Sequence, residues 1–251
     1  MKNFWKLYSV EQKLFFRSAD VFIFNLCMPV VTLIIIGLIA GSKPAGDSGM
    51  TYLQSSFVAI TSVGICCSAF MSIPIVMVDY RDKKILKHFY CSPCSPARLL
   101  LADVLCSGVM AMLSAVCVTI AACVLFGYKM SGNVAVFLLT WLLTMTAMFS
   151  IGLLVAAVCK TTKSMNVATS LLYFPMLLFS GATIPYELFP EGMQLVAGYM
   201  PLGIGIRLMK AASVGSSLGT MGTEIAVLGL IAVVCVAISI KTFSLQIKSQ
   251  G

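Results

Sequence analysis

The sequence predicts an all-α membrane protein with six transmembrane helices. Three observations carry that reading: 59% of the 251 residues are hydrophobic, only 10% are charged, and the apolar residues gather into long uninterrupted runs. Soluble domains carry about 25% charged residues. A chain this poor in charge, with a mean hydropathy of +0.99, cannot cover a globule with side chains that water solvates. Lipid must be its solvent over most of its surface. Backbone amides find no partner in hydrocarbon, so each crossing has to be a helix of about 20 apolar residues spanning roughly 30 Å.

Residues 3–17 form the first element. Lys6, Lys13 and Arg17 recur at i, i+7 and i+11 along one stripe, while Phe4, Leu7, Tyr8, Leu14 and Phe15 face the other way. That is the pattern of a helix lying in the membrane interface. Its interleaved charge rules out a signal peptide. Six spans follow, at about 21–40, 51–78, 99–126, 133–158, 165–179 and 224–241. Residues 48–78 contain no charge, and the third span is interrupted only by Asp103, five residues past Arg98. An aspartate is costly at a bilayer centre, so Asp103 is expected to reach the cytosolic interface or a neighbouring cation. Glu224 is expected at the outer boundary of the sixth span.

Six crossings put both termini on one side. Lys2, Lys6, Lys13, Arg17, Arg81, Lys83, Lys84, Lys87, Arg98, Lys160, Lys163, Lys241 and Lys248 fall on that side, against Lys43, Lys129, Arg207 and Lys210 on the other. Because positive residues stay in the cytosol, both termini are expected there, in a plasma-membrane protein. The net charge of +8 is then accounted for by this bias and by attraction to anionic lipid, and no nucleic-acid partner is called for.

Several chemistries drop out. No glycine is followed by lysine, so no phosphate-binding ATP loop exists here. His88 is the only histidine and the nine acids are scattered, which leaves no metal-centred catalysis. Of the ten cysteines, none falls in an expected outer loop, so no outward disulfide forms. Cys91-Ser-Pro-Cys94 lacks the second pair of a metal site and is read as turn residues.

Two connecting segments stand out. Between spans two and three, residues 80–90 form an amphipathic helix capped by Asp79 and ended by the Cys-Ser-Pro-Cys-Ser-Pro run. Arg81, Lys84, Lys87 and His88 take one side, and Ile85, Leu86 and Phe89 the other, with Asp82 near the apolar face. A soluble partner that grips the apolar side can move both flanking spans. After span five, residues 180–205 are too apolar for a free linker and too broken by Gly and Pro for one helix. Short re-entrant helices are expected there, permitted where other spans cover their backbone. Within the bilayer, Thr61, Ser68 and Ser72 share a face of span two, and Asn166 and Ser170 lie one turn apart on span five. Such groups prefer helix contacts or a cavity.

Taken together, the amphipathic first helix, the six spans, the Asp79-Tyr-Arg-Asp-Lys-Lys-Ile-Leu-Lys-His-Phe segment, the Ser92-Pro-Cys-Ser-Pro-Ala-Arg-Leu-Leu-Leu101 lead-in to span three and the Phe-Ser-Gly, Ile-Pro and Met-Pro-Leu outer motifs resemble the permease subunit of a type 2 ABC exporter over nearly the whole chain. The resemblance implies a non-catalytic subunit with no cofactor of its own, driven by a separate cytosolic ATPase that binds Mg-ATP. It implies a second permease, identical or paralogous, and a pathway between the two. Arg81, Asp82, Lys84, Ile85, Leu86, Lys87 and Phe89 would couple to the ATPase. Gly181, Pro185 and Pro201 would flank the outer gate, and Thr61, Ser68, Ser72, Asn166 and Ser170 would line the pathway. The family pattern of glutamates followed by glycine is met here only by Asp79 and Asp82, with Lys83-Lys84 in the glycine region. The implied cargo is amphiphilic: a drug, an antimicrobial peptide or a lipid-like molecule. An ion-coupled secondary transporter needs midplane titratable groups that most of the spans lack, and a membrane immunity protein that sequesters a peptide without transport is the other alternative.

Overall fold

The computed structural model describes residues 2–17, 23–40, 52–82, 96–159, 161–179, 192, 194, 198–215 and 218–248, and no strand occurs among them. The helices are α1 (Lys2–Arg17), α2 (Met28–Ala40), α3 (Tyr52–Cys67), α4 (Ile73–Asp82), α5 (Pro96–Phe126), α6 (Val134–Val158), α7 (Thr162–Phe179), α8 (Pro201–Val214) and α9 (Gly222–Lys248). Four described stretches are long and apolar enough to cross a membrane: Leu53–Val78, Leu100–Phe126, Val134–Val158 and Gly222–Phe243. The expected first and fifth spans are the short ones. Asn25–Ile39 is apolar but brief, and the 18 residues of α7 reach about 27 Å at 1.5 Å per residue.

Two π-helical turns break the expected regularity. Ile23–Cys27 precedes α2, and Ser68–Ser72 joins α3 to α4. Each lies just upstream of a proline, Pro29 or Pro74. A proline offers no N–H to the carbonyl four residues back, and its ring crowds that carbonyl. Asn25 and Phe70 carry the carbonyls concerned, and both sit inside the π-turns. Widening the helix there relieves the clash without ending the span.

The stretch expected as the second span, α3 through α4, is the centre of the described structure. Its most apolar window is 78% buried, against 17% for the α9 span. Phe57, Val58, Ile60, Ile65, Phe70 and Ile73 form the core line. At one end of the bundle Phe57 stacks on Tyr128 at 4.5 Å between ring centroids and on Phe137 at 6.1 Å. This pins the 127–133 loop over the core. Gly127, at φ 63°, turns the chain out of α5, and Tyr128 N–H donates back to the Ala122 carbonyl at 3.1 Å. Burial pushes the Tyr128 hydroxyl up to about 12, so it stays protonated. Asn133 then caps α6, accepting from Ala135 N–H at 2.9 Å.

Helix α1 lies on α5. Lys6 and Lys13 are exposed, as their stripe requires, while Tyr8 and Glu11 turn toward the bundle. Leu14, on the apolar side of the wheel, is exposed together with Trp5, Val10 and Phe16. Asp103 departs from expectation. It is fully buried, and neither carboxylate oxygen has a hydrogen-bond partner, because α1 packs over the segment through which it would have reached water. Glu224 lies in the first turn of α9 and accepts from the Thr223 hydroxyl at 2.8 Å. An acid at that end suits the helix dipole.

Candidate functional site

The sequence marked residues on α3, α4, α7 and α8, and the fold separates them. Thr61, Ser68 and Ser72 face the interior of the single chain. Thr61 Oγ1 donates to the Phe57 carbonyl at 2.7 Å. Ser68 Oγ donates to Asn25 Oδ1 at 2.8 Å, and Asn25 Nδ2 donates to Ser72 Oγ at 3.4 Å. Asn25 thus ties one π-turn to the other in a fully covered site. Sequence reading passed over it, although a lone amide inside an apolar run is a signal, since an amide in lipid seeks a partner.

On α7 the arrangement is the reverse. Thr161 and Ser164 cap its start reciprocally: Ser164 N–H donates to Thr161 Oγ1 at 3.2 Å and Thr161 N–H to Ser164 Oγ at 3.3 Å. From that start the 3.6-residue period sorts the side chains cleanly. Met165, Thr169, Tyr173 and Met176 point into the core, where the Tyr173 hydroxyl lies 3.1 Å from Cys67 Sγ. Asn166, Val167, Ser170, Leu171 and Phe174 are exposed, and with Pro175 they line a shallow groove that is almost wholly apolar. Val167 and Leu171 are 69% and 71% exposed. Of the five expected pathway residues, only Asn166 and Ser170 share an outward surface.

Pro201 opens α8, the position where a proline's missing N–H costs nothing. The helix ends at Gly215, whose φ of 85° is the left-handed conformation of a C-cap. Its two ends lie at different depths. Gly132 N–H donates to the Ser213 carbonyl at 2.8 Å, which places the last turn of α8 at the 127–133 loop. Gly205, eight residues earlier, packs against the Thr144 side chain. Thr144 lies ten residues into α6, about 15 Å from its start at 1.5 Å per residue. Leu202, Ile204, Ile206, Leu208 and Met209 are buried, and Arg207 Nη2 donates to the Gly198 carbonyl at 3.0 Å. Gly181 and Pro185 lie outside the described residues.

Arg81 and Asp82 form the last turn of α4. Lys84, Ile85, Leu86, Lys87 and Phe89 lie outside the described residues, as do Cys91 and Cys94. Among the described residues no group of three or more metal-ligating side chains comes together. A family model described as an ABC-2 type transporter matches residues 2–213.

The chain belongs to the ABC-2 type transporter family. It is therefore an ABC transporter permease subunit and a multi-pass membrane protein. The matched stretch runs from α1 into the last turn of α8 and takes in every element that positions the α7 groove. No curated protein sequence matches the chain.

Proposed function

We propose that this ABC-2 permease exports an amphiphilic cargo, of drug, peptide or lipid-like type, along a pathway formed with a second permease chain. The observation that carries the reading is the outward face of α7. A transmembrane helix that carries Asn166 and Ser170 among large apolar side chains, uncovered by its own chain, suits a surface facing a second permease and an amphiphilic passenger. Both copies would cross six times with termini in the cytosol. The depth difference between Ser213 and Gly205 supports reading α8 as a helix that re-enters from the outer side. In that reading Gly181, Pro185 and Pro201 flank a gate that closes the pathway.

Energy enters from a separate ATPase that binds Mg-ATP, through the 80–90 segment. Its apolar side chains Ile85, Leu86 and Phe89 dock, and Arg81, Asp82, Lys84 and Lys87 fix orientation. Closure of the ATPase pair pushes this segment, the two permeases tilt, and the α8 segments part. The test is purification of the permease from native membranes followed by photolabelling with azido-ATP. A partner band is labelled in the wild type and lost when Leu86→Asp and Phe89→Asp are combined, while membrane insertion is unchanged. An equally strong band from the double variant would refute the docking role of this segment.

A further inference from the structure

Beneath α1 lies a polar cluster that transport does not explain. Glu11, 4% exposed, turns toward the bundle, and the Tyr80 hydroxyl of α4 lies 2.7 Å from both its carboxylate oxygens. Asp103 of α5 is completely buried one turn before Cys106, whose Sγ lies 3.9 Å from the carbonyl of Tyr8, itself one turn before Glu11, so the packing of α1 on α5 brings both acids into one covered cluster. Both Asp103 oxygens lack partners, as do Ser107 Oγ one turn further along α5 and both polar atoms of the Gln12 side chain. Cys106 closes the cluster between α1 and α5. Among the described side chains, the titratable groups facing Glu11 are Tyr8 from its own helix, Tyr80 from α4, and Asp103 and Cys106 from α5, and none of these is cationic. Lys6 and Lys13 point away into the exposed stripe.

Two carboxylates buried in one cluster, with no counter-ion among the described side chains, do not both stay ionised, because desolvation and mutual repulsion each favour the neutral acid. One proton bound by either acid removes a full charge from the covered cluster and turns an acceptor-only group into one that can also donate. We propose that Glu11 and Asp103, buried in one cluster between α1 and α5, hold a single proton between them, and that this proton keeps α1 docked on the bundle. When that proton leaves to water, two anions remain in one covered cluster, and α1 lifts so that Glu11 can be hydrated. Burial already holds the Glu11 carboxyl above its ordinary value, with the Tyr80 hydroxyl bond opposing. A carboxyl raised in the docked state binds its proton more tightly there than when free. Docking is therefore strongest at low pH and weakens as pH rises through the raised value.

The experiment uses the full chain in lipid nanodiscs with Trp141→Phe, which leaves Trp5 on α1 as the sole tryptophan. Trp141 Nε1 has no hydrogen-bond partner, so its removal strands nothing. Quenching of Trp5 by brominated lipid, followed from about pH 5 to pH 9, should show one transition. Glu11→Gln and Asp103→Asn should each abolish it and keep α1 docked throughout. In parallel, infrared spectra of the unmodified chain should show a protonated-carboxyl band that disappears over the same pH interval. Amide variants that titrate like the wild type, or a wild type without that band, would overturn the proposal. So would stabilisation of the wild type at neutral pH by sodium, magnesium or calcium that both variants lose, which would make the pair a cation site. Should the variants fail to fold, the infrared measurement decides alone.

Discussion

Gly152 of α6 lies so close to the π-turn at the centre of the molecule that a Cβ there would overlap the Ala69 carbonyl oxygen. The obstruction is backbone, so no side chain can swing aside, and an added methyl has to push α6 from the second crossing. Gly152→Ala is expected to cost about 1 to 3 kcal/mol, the usual range for overpacking a tight contact. In a chain of this size that lowers the melting midpoint by roughly 2 to 4 °C per kcal/mol. Gly229→Ala is the control, since nothing lies within 4 Å of a Cβ there, and its midpoint should hold or rise through better helix propensity. Equal losses at the two sites would show that the Ala69 contact is not what demands glycine. Neither glycine is distinguishable in the sequence, where both sit within apolar runs. Asp103 was visible as an anomaly, but its burial was not, because the cover comes from α1, some ninety residues away in the chain.

At the scale of elements, the spans were legible and their interruptions were not. Hydropathy located the four stretches that are long and apolar enough to cross a membrane, those expected as the second, third, fourth and sixth spans, because long charge-free runs have one solution in lipid. The π-turns depend on how a helix accommodates Pro29 and Pro74, and proline alone does not say whether a helix kinks, widens or ends. Pro175 makes the point, for it lies within α7 and no π-turn marks it. The selection of partners within the π-turns is also long-range, with Asn25 reaching Ser68 and Ser72 across more than forty residues. Interhelical hydrogen bonds in membranes average about 0.6 kcal/mol and reach about 1.7. Asn25→Ala should therefore lower stability toward the upper part of that range, because it removes bonds to both serines. Ser68→Ala in the Asn25→Ala background should cost less than Ser68→Ala alone, the mark of a shared interaction. Additive losses in that double-mutant cycle, read by thermal unfolding in detergent, would mean the two π-turns are not coupled through this amide.

For the whole molecule, what matters is which exposed apolar surface meets protein and which meets lipid, and exposure by itself does not distinguish them. Leu139 on α6, Leu171 on α7 and Val233 on α9 are 67%, 71% and 69% exposed. The α7 surface differs in chemistry. Asn166 and Ser170 flank Leu171 there, and a polar pair of this kind gains from a helix neighbour or a cavity, whereas hydrocarbon offers it nothing. The proposed pairing of permeases predicts that a photoactivatable phenylalanine at Leu171 gives a covalent dimer on illumination of native membranes. The same probe at Leu139 or Val233 should give lipid adducts only. Adding the ATPase-uncoupling pair Leu86→Asp and Phe89→Asp should leave the Leu171 dimer intact, because pairing and energy input use different surfaces. If Leu139 or Val233 crosslinked and Leu171 did not, the α7 groove would be a lipid-facing surface, and the pathway would have to be sought on another side of the bundle.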